Sequence, residues 1–172
     1  MAKNELFLYA LMGGIVLLLI LAGFIEQGFE ATLKGLVALQ ARPARLIHDF
    51  TALEGVGATL VNSGLVSALS LILVRLTKVR LAGPTIAAFL TIMGFSLFGK
   101  TLLNVVPIIF GVYLSAKAAR KPFAAYLLIA LFGTAMGPLV TYLVFRSGLT
   151  GIYAILVGIL GGTVTGFFLP SI

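Results

Sequence analysis

The chain has 172 residues, of which 60% are hydrophobic and 10% are charged, and its formal net charge is +7. Soluble domains carry about 25% charged residues, so this composition excludes an ordinary soluble domain and indicates an integral membrane protein. Cysteine is absent and histidine occurs once, which excludes disulfides, thiolate metal sites and sites built from several histidines. We therefore expect no metal and no other cofactor.

Apolar runs close to the ~20 residues that a membrane-spanning helix needs recur along the chain. They lack the alternation of barrel strands, so they predict an all-α fold class, a polytopic transmembrane helix bundle in a single membrane domain. About four full spans are predicted, together with a central hairpin of two short arms. The spans are residues 6–25, 55–74, 123–145 and 151–170, and the arms are residues 82–98 and 101–116.

Residues 26–49 form the longest polar interval of the chain. Apolar residues recur there at helical spacing, and Glu30 and Lys34 stand four apart as a favourable pair. The pattern predicts an amphipathic helix that either lies on the membrane surface or packs on its own bundle. Arg42-Pro43 is expected to end this helix.

Asn62 is the polar residue of the second span that small-residue packing does not explain. Small and hydroxyl residues ordinarily serve helix–helix contact in lipid, and the span is rich in both. An amide must find hydrogen-bond partners away from water. Two roles for Asn62 follow, an interhelical hydrogen bond or a position that lines a solute pathway.

Lys100 interrupts the central hairpin, which is otherwise without charge. At 1.5 Å per residue each arm would be about 25 Å long, short of a ~30 Å hydrocarbon core. Three basic residues flank each end of the hairpin, and the positive-inside rule places both ends in the cytoplasm. Either a tight outer turn at Gly99-Lys100 brings the lysine to the interface, or a re-entrant hairpin holds it at depth, facing a cavity.

The tip of this hairpin is the predicted substrate-binding site. Thr101 can cap the helix that follows, whose free N–H groups then point at the tip beside the ammonium. An unpaired ammonium inside a membrane costs several kcal/mol, so it indicates a functional site. The predicted substrate-binding residues for a small polar or anionic solute are Lys100, Thr101, Asn104 and Asn62.

Glycine and proline mark two further sets of positions. Both residues weaken the helical hydrogen-bond ladder, and the predicted helix breaks are Gly99, Pro107, Gly137 and Pro138. Glycines spaced four apart allow close approach of helices in lipid. The predicted packing positions are Gly133, Gly158, Gly162 and Gly166.

The charges argue against an enzyme and against nucleic-acid binding. No acidic residue follows Glu54, so no acid there can serve as a base, a metal ligand or a proton relay. The basic residues stand in short loops between apolar runs, where the positive-inside rule explains them without nucleic acid. The same rule predicts that both termini are cytoplasmic.

Three segments resemble a family of bacterial polytopic membrane proteins known only as a domain of unknown function. The segments are GVGATLVNSGLVS, GFSLFGKTLLNVVPIIFGVYL and ALFGTAMGPLV. The resemblance covers about residues 46–170, and Lys100, Asn104 and Pro107 fall on its most specific part. It implies a permease in the bacterial cytoplasmic membrane. Members of that family are usually longer, so this chain departs from them by ending near a half-length.

A looser similarity links the glycine-rich helices and short interrupted arms to one half of an inverted-repeat channel or transporter, such as the urea-transporter type. The chain stops without a polar tail, which predicts a homo-oligomer or a second half-chain as partner besides the lipid bilayer. The resulting expectation is a permease or channel-like protein. The alternative is a non-transporting membrane subunit whose glycines and serines serve assembly.

Overall fold

The computed structural model describes residues 3–41 and 49–171, and they are arranged as helices joined by short turns. The α-helices are α1 (Lys3–Gln27), α2 (Phe29–Ala41), α3 (Phe50–Leu76), α4 (Gly83–Phe95), α5 (Leu102–Ala118), α6 (Leu127–Gly133), α7 (Gly137–Arg146) and α8 (Gly151–Phe168). Short 3₁₀ turns cover Phe123–Tyr126, Thr134–Met136 and Leu169–Ser171.

The predicted all-α fold class is confirmed. Within the described residues, four helical stretches are long and apolar enough to cross a membrane, while α4 and α5 are shorter apolar helices between them. The chain is therefore a multi-pass membrane protein. The orientation expected from the basic loops stays a prediction. The four long stretches are Asn4–Gln27, Phe50–Leu76, Phe123–Arg146 and Gly151–Ser171.

Close glycine contacts join α1 to α3 in antiparallel fashion. A Cβ atom added to Gly23 would lie 2.5 Å from the backbone oxygen of Gly57, and one added to Gly64 would lie 2.6 Å from the side chain of Ile20. Such distances are shorter than real Cβ contacts, so the two backbones approach as only glycine permits.

Helix α2 packs on the same bundle, which is one of the two arrangements expected for the amphipathic segment. Its Gly35 faces Ala58 of α3, and its Leu39 is buried in a cluster with Phe50 and Ala58. Phe29 and Val37 point outward and are mostly exposed. The predicted stop at Arg42-Pro43 lies outside the described residues.

Helix α3 begins with a capped turn and then bends. Asp49 is its N-cap and accepts a hydrogen bond from the Thr51 backbone N–H at 2.9 Å. Hydrogen bonds from Thr51 hold the pKa of this carboxyl below its ordinary value. Gly55 has a φ of 88°, a value that favours glycine, and interrupts the helical backbone. The side chain of Gln27 braces this bend, accepting from Ala58 N at 3.0 Å and donating to Glu54 O at 2.9 Å.

Helix α5 crosses α8 at two of the predicted packing glycines. A Cβ atom on Gly162 would lie 2.8 Å from Cβ of Pro107, and one on Gly166 would overlap the backbone of Ile108. The other two predicted packing glycines have different neighbours: Gly158 faces the side chain of Val144 and Gly133 that of Leu169. The tightest contact of α8 is therefore with α5.

Pro107 was predicted to break its helix, but α5 continues through it from Leu102 to Ala118. Proline removes only its own N–H, which would have bonded to the carbonyl of Leu103 near the start of the helix. The bonds further along remain, and the proline ring instead fills the space that Gly162 leaves in α8.

The substitution Gly166→Ala is expected to destabilise the protein by about 1–3 kcal/mol, because the new methyl group overlaps the α5 backbone and forces the two helices apart. Thermal unfolding in detergent measures this as a lower Tm. The matched control is Gly13→Ala on α1, where a Cβ atom meets nothing within 4 Å. Equal Tm values for the two variants would contradict the close α5–α8 contact.

Candidate functional site at the hairpin tip

The chain between α4 and α5, residues 96–101, is the hairpin tip, and it lies beside the N-terminal half of α3. The Asn62 amide donates to the backbone oxygen of Lys100 at 2.8 Å. Asn62 follows Gly55 by seven residues and precedes Leu76 by fourteen, which places it about 10 Å and 21 Å from these points along the helix. The Phe50 backbone N–H donates to Leu97 O at 3.3 Å, so the tip lies beside α3 between Phe50 and Asn62. The re-entrant hairpin stays a prediction.

Side chains of α3 donate to carbonyl groups at the end of α4 and in the tip. Asn62 Nδ2 donates to the backbone oxygens of Ser96 and Lys100, both at 2.8 Å. Ser63 Oγ donates to Met93 O at 2.8 Å. The last carbonyls of a helix have no partner in its own ladder, and away from water each needs one from elsewhere. Asn62 thus makes the interhelical bonds that one of its two expected roles requires.

The start of α5 is closed by Asn104 from within the same hairpin. Asn104 Oδ1 accepts from the backbone N–H of Thr101, the N-cap residue, at 3.0 Å. Its Nδ2 donates to Gly99 O at 2.9 Å and to Thr141 Oγ1 at 3.0 Å. Gly99 has a φ of 142°, a value that favours glycine. The helical structure is interrupted at this predicted position, between α4 and α5.

Lys100 turns its side chain into the protein, where its exposed fraction is 0%. Its Nζ donates to Thr134 Oγ1 at 2.9 Å and lies 5.1 Å from the centroid of the Phe95 ring. In the described ranges no ion pair involves Lys100, because the pair found there joins Lys34 to Glu30 on the surface. The ammonium thus faces a hydroxyl and an aromatic ring, which supply partial charge only.

Thr134, which contacts this lysine, lies in the 3₁₀ turn between α6 and α7. Pro138 has no N–H for the carbonyl of Thr134, which accepts instead from Gly137 N in a 3₁₀ turn between α6 and α7. Gly137 also makes room for the tip, since a Cβ atom there would lie 2.7 Å from Asn104 Oδ1. The helical stretch Phe123–Arg146 continues through the break predicted at Gly137 and Pro138, and only the 3₁₀ turn Thr134–Met136 interrupts its α-helical pattern. This interruption, the α6–α7 break, lies against the Gly99 turn at the Lys100 side chain.

The structure brings all four predicted substrate-binding residues together at the tip, and each side chain is buried. The amide groups of Asn62 and Asn104 hydrogen-bond to backbone groups within the protein. This arrangement is closed around Lys100. No group of three His, Cys, Asp or Glu residues in the part of the chain described here is placed to hold a metal ion.

A groove of about 550 Å³ lies next to the tip, between α2, α3, α5 and α8. Most of its lining is apolar, with Leu103, Pro107 and Phe110 on the α5 side. Gln40 of α2 and Thr163 of α8 are its polar lining residues. Lys100 is not part of this lining, so the tip and the groove are neighbours that the α5 start separates.

Sequence reasoning missed Thr134, Thr141 and Gln40, which all contact the tip network. Thr134 had a usable signal, because it stands four residues before Pro138 and so at the carbonyl that the proline leaves unpaired. Thr141 and Gln40 had none, since they lie 37 and 63 residues from the α5 residues they contact, Asn104 and Leu103. Only the fold brings them near.

A family model described as "Protein of unknown function (DUF1576)" matches residues 29–172. The match covers most of the chain, so the protein belongs to this family. Neither the curated proteins nor the solved structures gave a match.

The substitution Asn62→Leu is expected to destabilise the fold by about 1–3 kcal/mol, because it leaves the Ser96 and Lys100 carbonyls buried without a donor. Chemical or thermal unfolding in detergent measures the loss. Ser67→Ala is the control on the same helix: Ser67 Oγ is buried without a partner, so its removal costs little. Similar losses in the two variants would contradict the assigned role of Asn62.

Proposed function

For this member of a family of unknown function, we propose a permease or channel-like role in the membrane, without enzymatic activity, for a small polar or anionic solute. The observation that carries the proposal is the fully buried Lys100 side chain at the meeting point of two helix breaks. In this role Lys100 is the charge that the solute meets, and Thr101, Asn104 and Asn62 shape its surroundings.

The cost of burying an ammonium supports this role. Charged groups inside membrane proteins are expensive, and those that occur generally face the bundle interior and mark solute or ion pathways. Thr134 and Phe95 offset part of the cost, but neither carries a full negative charge. An anionic or strongly dipolar solute would supply the missing counter-charge, which gives the site a reason to bind one.

The helix breaks support it as well. Broken helices at membrane depth are the means by which many transporters present backbone groups to a substrate. Here the α4–α5 hairpin and the α6–α7 break meet at Lys100 and Thr134, whose Nζ and Oγ1 atoms are 2.9 Å apart. In this proposal the arrangement of four buried site residues is a closed state, and passage requires the tip to open.

A second candidate is the non-transporting assembly subunit, alone or with a second copy or half-chain. One observation favours it. Among the described residues, the buried side-chain polar atoms have hydrogen-bond partners within the protein, with Ser67 Oγ as the exception. A hydrogen-bond network this complete can also serve to hold the helices of the bundle together. In this role Lys100 would fix the hairpin against α6 through Thr134 and would meet no solute.

Reconstitution in liposomes distinguishes the two candidates. Uptake of a panel of small anions and neutral polar solutes is expected to fall about 10-fold or more in Lys100→Ala for the solute that the site recognises, because the counter-charge is lost. Lys34→Ala is the matched control, since this lysine is exposed and paired with Glu30, and it should leave uptake unchanged.

Equal uptake by the wild type and Lys100→Ala would reject Lys100 as a transport site. Absence of uptake by the wild type, together with a stable complex with another membrane protein, would support the assembly subunit.

A further inference from the structure

We infer that Gln40 is a latch that holds the hairpin tip closed, and that its release lets the tip open toward the neighbouring groove. The inference rests on the proposed function and names how the same site is gated. Gln40 belongs to α2, which is neither part of the hairpin nor of the α6–α7 break.

The side chain of Gln40 joins three elements. Its Oε1 accepts from the backbone N–H of Leu103, in the first turn of α5, at 3.1 Å. Its Nε2 lies 3.4 Å from Asn62 Oδ1, on the same amide that holds the Ser96 and Lys100 carbonyls. Gln40 thus contacts both the start of α5 and the α3 residue that anchors the tip.

The bond to Leu103 replaces one that α5 cannot make itself. The first N–H groups of a helix have no acceptor within their own ladder, and in a membrane each needs one from another element. For Leu103 that acceptor comes from α2. The Gln40 side chain can leave this position without unwinding any helix. Breaking a backbone hydrogen bond of the helix would unwind a turn.

Among the described residues, the other hydrogen bonds of Gln40 are long. Its donor bonds, to Asn62 Oδ1 at 3.4 Å and to Leu36 O at 3.5 Å, lie beyond the usual range for N–H···O bonds. Gln40 is half-buried and lines the groove, and α2 ends one residue later at Ala41. The latch is therefore at the end of its helix, at the boundary between groove and tip.

The test compares Gln40→Leu with Gln27→Leu. Gln27 is a matched control because its amide also links two elements, donating to Glu54 O and accepting from Ala58 N at the α3 bend, away from the tip. Hydrogen–deuterium exchange of the peptide covering residues 100–106 is measured beside solute uptake in liposomes. Gln40→Asn, which keeps the amide but shortens its reach, serves if Gln40→Leu does not fold.

In the Gln40 variant, exchange in residues 100–106 is expected to rise about 10-fold and uptake to rise severalfold. In the Gln27 variant, exchange should rise around residues 54–58 only, and uptake should not rise.

Unchanged exchange at residues 100–106 in the Gln40 variant would overturn the latch. Faster exchange with unchanged or lower uptake would also overturn it, since Gln40 would then be a structural cap. Failure of the proposed function looks different: wild type and Lys100→Ala would show equal uptake or none, whatever the exchange result.

Discussion

The structure depends on one constraint, that backbone groups buried inside the bundle must find hydrogen-bond partners within the protein. The turn between α4 and α5 is buried at Ser96, Lys100 and Thr101, so its backbone groups need partners within the protein. Two amides provide them: Asn62 reaches across from α3 to Ser96 and Lys100, and Asn104 reaches back to Gly99 and Thr101. Both amides therefore stabilise the buried tip.

The same constraint explains how a lysine comes to be buried. The tip lies against a second broken helix, and the hydroxyl of Thr134 at that break accepts from Lys100 Nζ. The glycine contacts bring the elements close enough for this, since Gly137 admits Asn104 and Gly166 admits the α5 backbone. The hydrogen bonds and the small residues therefore act together, and the charge is held where two irregular backbones meet.

Composition and hydropathy were sufficient to predict the fold class, because hydrophobic length and the need for internal hydrogen bonds leave helices as the solution. The tip residues were also identifiable, since a lone lysine in an apolar run is conspicuous. Their connections were not: Asn62 and Lys100 are 38 residues apart, and spacing says nothing of such pairs. The prediction that Pro107 breaks its helix was wrong, because a proline near a helix start removes a single hydrogen bond. Its ring packs against Gly162.

The central claim, that two helix breaks meet at Lys100 and Thr134 inside the bundle, is tested most directly by a double-mutant cycle. Lys100→Met, Thr134→Val and the double variant are compared in free energy of unfolding. A coupling energy of about 0.6 kcal/mol, and at most about 1.7 kcal/mol, is expected, which are the average and the largest value for interhelical hydrogen bonds in membranes. Additive effects, within about 0.3–0.5 kcal/mol, would show that the two side chains do not interact and would contradict the account.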